Sequence, residues 1–183
     1  MKYAEIKKYD IANGPGLRVS IFVCGCTHRC EKCFNQELWD PEYGELYTGE
    51  TEKEILDFMN SRFVTGLSLL GGDPLDFGNY KTLLSLVKET KKIGKDVWCY
   101  TGSLYEQIWE KCESDPILEE FLSYVDIIVD GPFINSLKDP MLKFRGSSNQ
   151  RIIDNKKTIE NHLNNLSQSE NRYKDIIPII AME

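Results

Sequence analysis

The sequence predicts an α/β fold whose sheet is mostly parallel. Short apolar runs, typical of strands, alternate along the chain with segments whose apolar residues recur at helical spacing. Two of these runs, 66–70 and 125–129, end in loops rich in glycine, aspartate and proline, as buried parallel strands do. Strands separated by helices require right-handed crossovers, and 183 residues suffice for one sizeable core.

The first half of the chain supplies two strands and two helices. Residues 18–24 alternate between two faces and predict the first strand, and 66–70 predict the second. Between them, Thr51 and Glu54 form a capping box that predicts a helix start. The apolar residues that continue this helix are Ile55, Met59 and Phe63. The helix after the second strand is expected to end at Gly94.

The second half continues the alternation. Residues 96–100 predict a strand, and a second capping box, of Ser103 and Glu106, starts the next helix. Asp115 and the proline after it start another short helix, because proline is tolerated in a first turn. The strand at 125–129 follows, and residues 131–154 are expected to be rich in loops.

The tail from residue 155 changes character, since it is rich in asparagine and lysine. Its apolar residues predict one helix, around Ile159, Leu163 and Leu166. Pro178 limits the last apolar stretch, 176–180, to an edge strand or an extended arm, because proline cannot donate to a sheet ladder.

Charge and composition exclude several classes of function. There are 22 Lys and Arg against 29 Asp and Glu, a net charge of −7, which argues against nucleic acid as the main partner. No apolar run approaches the roughly 20 residues needed to cross a bilayer, so no membrane association is expected. The first eight residues lack the apolar core of a signal peptide, and we therefore expect the protein in the cytoplasm.

Four of the six cysteines fall within ten positions, directly after the first predicted strand. In a reducing cytoplasm such a group is more often a metal or redox centre than a disulfide pair. Cys26, Cys30 and Cys33 have the spacing Cys-x3-Cys-x2-Cys. Three thiolates this close can hold three irons of a 4Fe-4S cube and leave the fourth iron open to a small molecule.

Structural zinc is the alternative interpretation of this group. Zinc sites usually take four ligands in two separated pairs, and the chain offers no second pair downstream. Cys24 or His28 could supply a fourth ligand. Cys24, however, ends a predicted strand and is typical of a small buried hydrophobe, and His28 is typical of a solvated or capping residue.

A second motif lies one strand–helix unit further on. Gly71, Gly72 and Asp73, followed by a proline, come at the carboxyl end of the second strand, where α/β folds bind ligands. Glycine lets the polar head of a ligand approach the backbone closely. The motif is weak by itself, because such turns are common, and its weight comes from its position.

Together these segments carry a family resemblance. The segment 13–16, the cysteine motif of 26–35 and the glycine loop of 71–74 resemble the radical S-adenosylmethionine family. With Thr101-Gly102, residues 129–131 and the Arg-Gly-Ser-Ser-Asn-Gln segment of 145–150, the sequence looks like the reductase-activating members of that family. The resemblance covers residues 1 to about 154 in order, which implies a radical S-adenosylmethionine domain over 1–154 and a C-terminal appendage over 155–183.

The resemblance implies a function. Cys26, Cys30 and Cys33 would bind one 4Fe-4S cluster, and the loop from Gly71 to Asp73 would contact the amino group of S-adenosylmethionine at the open iron. Reduced flavodoxin would donate the electron that cleaves the sulfonium. The 5′-deoxyadenosyl radical would then abstract hydrogen from a glycine of the glycyl radical subunit of anaerobic ribonucleoside-triphosphate reductase. The implied fold is an abbreviated, open version of the partial (β/α) barrel.

Two features depart from the family pattern. Many members carry an aromatic residue just before the third cysteine, against the adenine, where this chain has Lys32, and Phe34 follows Cys33 instead. The adenine contact is therefore expected within 32–34, without a choice of side chain. Two alternative functions stay open: activation of another glycyl radical enzyme, of the formate-lyase type, or a non-enzymatic module that binds metal through four cysteines.

Overall fold

The computed structural model describes residues 1–165 and 178–179, without the side chains of 162–165. The described residues form an open, mixed sheet of seven strands in the order β3-β1-β2-β4-β5-β6-β7. The strands are β1 (Lys2–Asp10), β2 (Leu17–Val23), β3 (Glu45–Leu46), β4 (Val64–Gly71), β5 (Asp96–Tyr100), β6 (Ile127–Asp130) and β7 (Arg151–Asp154).

The prediction of a mostly parallel sheet is wrong. The central strands β2, β4, β5 and β6 are parallel, but β1, β3 and β7 pair antiparallel at the two sides. Neither β1 nor β7 is predicted from the sequence. β1 is rich in charged residues and only its last residue, Asp10, is buried, so it lacks an apolar run, and β7 is only four residues long within a segment expected to be loop.

The helices lie where the sequence predicts them, but two of the caps differ. They are α1 (Gly49–Met59), α2 (Asn79–Lys92), α3 (Tyr105–Cys112), α4 (Pro116–Ser123) and α5 (Asn155–Asn165). The capping box of α1 is formed by Thr48 and Thr51, three residues before the predicted one. The helix ends at Met59, before Phe63, which is exposed. At α3, Gln107 accepts from the backbone N–H of Leu104, one residue later than predicted. Asp115 caps α4 as expected.

The two faces of the sheet are covered differently. Strand residues such as Ile21, Leu69 and Cys99 pack with the helices in the main core. Their neighbours along the strands, among them Phe22 and Leu70, point to the other face, where two smaller apolar clusters are covered by loops. This second face carries the candidate site.

Beyond β7 the tail begins as predicted. α5 confirms the helix around Ile159, which packs against the main core, whereas Leu166 lies outside the described residues. Pro178 bridges Ile153 of β7, and the N–H of residue 179 donates to the carbonyl of Ile152 at 2.7 Å. Residues 178 and 179 therefore lie along the edge of the sheet beside β7. This agrees with the prediction that Pro178 limits the stretch to an edge strand or an extended arm. Among the described helices, none has the length and apolar character to span a membrane.

Candidate active-site cleft

The three motif cysteines lie in the loop that follows β2, and residues 25–35 are here called the cysteine loop. Cys26, Cys30 and Cys33 are all half-buried and line one cleft. Burial raises the pKa of the Cys26 thiol to about 11 and also raises the pKa of Cys30. Both are therefore protonated at neutral pH in the metal-free chain, and metal binding would release their protons.

The backbone of the cysteine loop is held against its neighbours. The N–H groups of Gly25 and Cys26 donate to the carbonyls of Leu38 and Trp39, at 2.8 and 3.2 Å. Arg29 and Lys32 have positive φ values of 46° and 56°. Such conformations cost roughly 1 kcal/mol or more each in a non-glycine residue, so the backbone of the loop is strained at these two residues.

Cys24 is separate from this arrangement. Its side chain is 1% exposed and packs with Phe22, Leu38 and Leu70 beneath the cysteine loop. Burial raises the pKa of its thiol to about 11. Cys24 is thus a small buried hydrophobe, as expected from its place in the strand pattern.

The glycine loop after β4 forms the floor of the cleft. Gly71 and Gly72 line it, and the N–H of Gly72 donates to the carbonyl of Val23 at 2.7 Å. A Cβ on Gly72 would lie 2.5 Å from the carbonyl oxygen of Gly25 and 2.9 Å from that of Leu38. No side chain fits there, because both neighbours are backbone atoms.

Asp73 is buried behind these glycines, at 1% exposure, rather than open to the cleft. One carboxylate oxygen accepts from the hydroxyl of Thr101 at 2.8 Å and from the N–H of Gly102 at 3.0 Å, and the other accepts from the N–H of Leu75 at 2.9 Å. The Nε2 atom of His28 lies 3.0 Å from the first oxygen. This contact raises the pKa of His28.

The opposite wall comes from the segment between β6 and β7. Gln150 accepts from the N–H groups of Gly146 and Ser147 and donates to the carbonyl of Gly131, so the segment 145–150 is tied back to the end of β6. Arg145 lines the cleft, and one end of its guanidinium donates to the carbonyl of Gln150 at 2.6 Å.

Phe34 joins this wall to the cysteine loop. Its ring lies 5.3 Å from the ring of Phe133, and the ammonium of Lys138 lies 4.6 Å above it. Phe34 is 63% exposed and borders the cleft, whereas Lys32 is exposed and is not among the residues that line it. Within 32–34, the segment expected to meet an adenine, Cys33 and Phe34 therefore face the cleft.

The cleft has a volume of about 580 Å³, within the range of cofactor sites. Three polar atoms of its lining residues are buried without a hydrogen-bond partner among the described residues: the hydroxyl of Tyr100, the indole N–H of Trp39 and the Nε2 atom of His28, whose approach to Asp73 is an ion-pair contact rather than a hydrogen bond. Buried polar groups are normally paired. Three thiols, a glycine floor and unpaired polar groups fit a bound iron–sulfur cluster with a polar ligand.

Two residues that line the cleft are not predicted as site residues from the sequence. Tyr100 belongs to the strand predicted over 96–100 and Asn13 to the segment 13–16, and both border the cleft. The available signal was that Tyr100 ends β5 directly before Thr101 and Gly102, at the same edge as the other two loops. Trp98, two residues earlier in β5, is buried in the core.

Comparison with known proteins agrees with this chemistry. A family model described as "4Fe-4S single cluster domain" matches residues 12–153. Curated relatives named anaerobic ribonucleoside-triphosphate reductase-activating protein align with most of the chain. The relative from Vibrio cholerae is 40% identical over 156 residues, which cover 83% of this chain and 97% of the relative. That of Enterobacteria phage T4 is 38% identical over 164 residues, 88% of this chain and 99% of its own. That of Escherichia coli K12 is 36% identical over 156 residues, with coverages of 83% and 97%.

Proposed function

The chain belongs to the family of anaerobic ribonucleoside-triphosphate reductase-activating proteins, with a 4Fe-4S single cluster domain, and from this premise we propose that it is a radical S-adenosylmethionine enzyme. Its reaction is the one-electron cleavage of S-adenosylmethionine and the removal of a hydrogen atom from a glycine of the reductase. The observation that carries the proposal is the set of three half-buried thiols beside a glycine floor in one cleft.

Cys26, Cys30 and Cys33 are the proposed cluster ligands, because all three line the cleft while Cys24 is packed in the core. When bound, the cluster and S-adenosylmethionine would supply the electron transfer and the 5′-deoxyadenosyl radical. The protein's part is to hold both groups and to exclude water.

The glycine floor supports the proposed S-adenosylmethionine site. Gly71 and Gly72 present backbone without side chains to the cleft, so the amino group of a bound ligand can approach carbonyl oxygens closely. Asp73 contributes indirectly in this proposal, because its carboxylate is taken up by Thr101, Gly102 and Leu75. Phe34 is the proposed side chain against the adenine, since Lys32 does not line the cleft.

The parallel core of the sheet supports the proposed barrel type. β2, β4, β5 and β6 are parallel neighbours linked by helices, and the three ligand-bearing loops follow β2, β4 and β5 at their carboxyl ends. We interpret this as an abbreviated, open partial barrel of the radical S-adenosylmethionine type. Its open side would admit the glycine-bearing loop of the reductase.

The proposed electron donor is reduced flavodoxin, and the proposed compartment is the cytoplasm, where thiols stay reduced. Activation of a formate-lyase-type enzyme is the second candidate, since it would use the same cleft. The names of the relatives favour the ribonucleotide reductase. A module with four cysteine ligands is disfavoured by the burial of Cys24 among apolar side chains.

The test is anaerobic reconstitution with iron and sulfide, followed by S-adenosylmethionine and a reductant. We expect 5′-deoxyadenosine from the wild type and none from Cys30→Ala. With the reductase added, we expect a glycyl radical signal by electron paramagnetic resonance. Cleavage without that signal, together with a signal on a formate-lyase-type enzyme, would move the assignment to the second candidate.

A further inference from the structure

We propose that His28 is a positioning residue that fixes the cysteine loop on the end of β5, an inference that rests on the function proposed above. His28 lies between the first two motif cysteines and was expected to be solvated or to cap a turn. Its side chain is instead only 23% exposed, and its ring packs flat on Gly102.

The packing of His28 on Gly102 leaves no room for a side chain. A Cβ on Gly102 would lie 2.5 Å from Cδ2, 2.6 Å from Cγ and 2.9 Å from Nε2 of the imidazole. The ring can lie there only because residue 102 is glycine. The backbone of Gly102, which follows Thr101 at the end of β5, therefore forms the surface on which the imidazole packs.

Asp73 also contacts the imidazole of His28. Its oxygen, which accepts from Thr101 and Gly102, also lies 3.0 Å from Nε2 of His28. One buried carboxylate thus joins the glycine floor, the end of β5 and the cysteine loop. Asp76, from the same loop as Asp73, accepts from both the N–H and the hydroxyl of Thr27, each at 2.7 Å.

These contacts hold the segment between Cys26 and Cys30, and none of them involves a motif thiol. The three thiols alone suffice to hold a cluster, so loss of the His28 ring should leave cluster assembly intact. It should release the loop from β5 and loosen the position of the cluster relative to Gly71 and Gly72. Residues that orient metal ligands typically change affinity or activity by about 10- to 100-fold when removed.

The experiment compares His28→Ala, Gly102→Ala and the double variant, with Gly49→Ala as the control, since nothing lies within 4 Å of a Cβ at Gly49. In the metal-free chain, we expect faster hydrogen exchange at residues 26–30 in both single variants. After reconstitution, iron content should equal that of the wild type. The concentration of S-adenosylmethionine that produces half of the change in the electron paramagnetic resonance spectrum should rise about 10-fold or more.

The double variant tests whether His28 and Gly102 act through the same contact. The three atoms nearest to a Cβ at residue 102 all belong to the imidazole of His28, so Gly102→Ala should add little once His28 is alanine. Three outcomes would each overturn the proposal. The first is that the effects of the two single variants add in the double variant. The second is that His28→Ala matches the wild type in hydrogen exchange and in its dependence on S-adenosylmethionine, and the third is that the single variant His28→Ala loses iron. If the wild type gives no spectral change and no 5′-deoxyadenosine, the proposed function fails, while the exchange measurements on the metal-free chain still test the role of His28.

Discussion

The hydroxyl of Thr101 donates a 2.8 Å hydrogen bond to the carboxylate of Asp73, which joins the ends of β5 and β4 beneath the cleft. The Asp73 carboxylate accepts three hydrogen bonds, from Thr101, Gly102 and Leu75. Asp73→Asn would replace one of its oxygens with an amide nitrogen, which cannot accept. We expect the free energy of unfolding to fall by about 1–3 kcal/mol, the cost of unsatisfied buried polar groups.

Urea denaturation of the metal-free protein measures this loss. The matched control is Asp57→Asn, because Asp57 is exposed on α1. Equal midpoints for Asp73→Asn and the wild type would contradict the structural role of Asp73 and would favour a direct contact with S-adenosylmethionine.

The cysteines can be separated by iron content. Cys30→Ala should lose most of its iron after anaerobic reconstitution, because two thiols cannot hold a 4Fe-4S cluster stably. Cys24→Ala should keep wild-type iron, since Cys24 is packed among apolar side chains beneath the loop. If Cys24→Ala loses as much iron as Cys30→Ala, the four-cysteine module becomes the better interpretation.

Gly72→Ala should damage the floor of the cleft. The added Cβ meets two carbonyl oxygens, of Gly25 and Leu38, that belong to backbone and cannot turn aside. We expect a lower melting temperature and a loss of 5′-deoxyadenosine formation of at least about tenfold, since small displacements at a reacting centre cost about 100-fold. Gly49→Ala, which meets nothing, should match the wild type.

The sequence predicts the parts of this site that depend on backbone chemistry. Closely spaced cysteines and a Gly-Gly-Asp loop are local signals, and the alternation of strands and helices brings them to one sheet edge. Tyr100 could not be predicted, because an aromatic residue in a strand has the same pattern whether it faces core or cleft. The packing of His28 could not be predicted, because it depends on Gly102, 74 positions away in the sequence. β1 and β7 could not be predicted either, because β1 has no apolar run and β7 is only four residues long.

Asp126 makes stability depend on pH. Burial raises the pKa of its carboxyl, but hydrogen bonds from Lys156, Lys91 and the N–H of Val97 lower it overall. A lowered pKa in the folded state means that the stabilisation is full above the unfolded pKa of about 4 and is lost as the pH falls through the folded value.

Lys91→Met tests this dependence. We expect about 1–2 kcal/mol less stability at pH 7, because two hydrogen bonds to a charged group are lost. The difference from the wild type should shrink as the pH falls below about 4. Lys92→Met is the control, because Lys92 pairs with Glu89 at the surface. A difference that stays constant down to pH 2 would show that Asp126 is not the titrating group.

Asn155 ties the start of the tail to the core. Its side chain is fully buried, donates to the carbonyls of Leu122 and Val125 and accepts from the hydroxyl of Tyr105. Asn155→Ala should cost about 2–4 kcal/mol, because three buried hydrogen bonds of about 1 kcal/mol each are lost together. Asn161→Ala, at an exposed position of the same helix, should change stability little.

The same contacts predict how truncation will act. A chain that ends at residue 154 lacks Asn155 and should unfold at lower urea than one that ends at residue 165, which keeps α5. Equal unfolding midpoints would contradict this and would make residues 155–165 dispensable for stability. The expected difference would instead extend the folded domain through α5, because Asn155 at the start of that helix makes three buried hydrogen bonds to residues of 1–154.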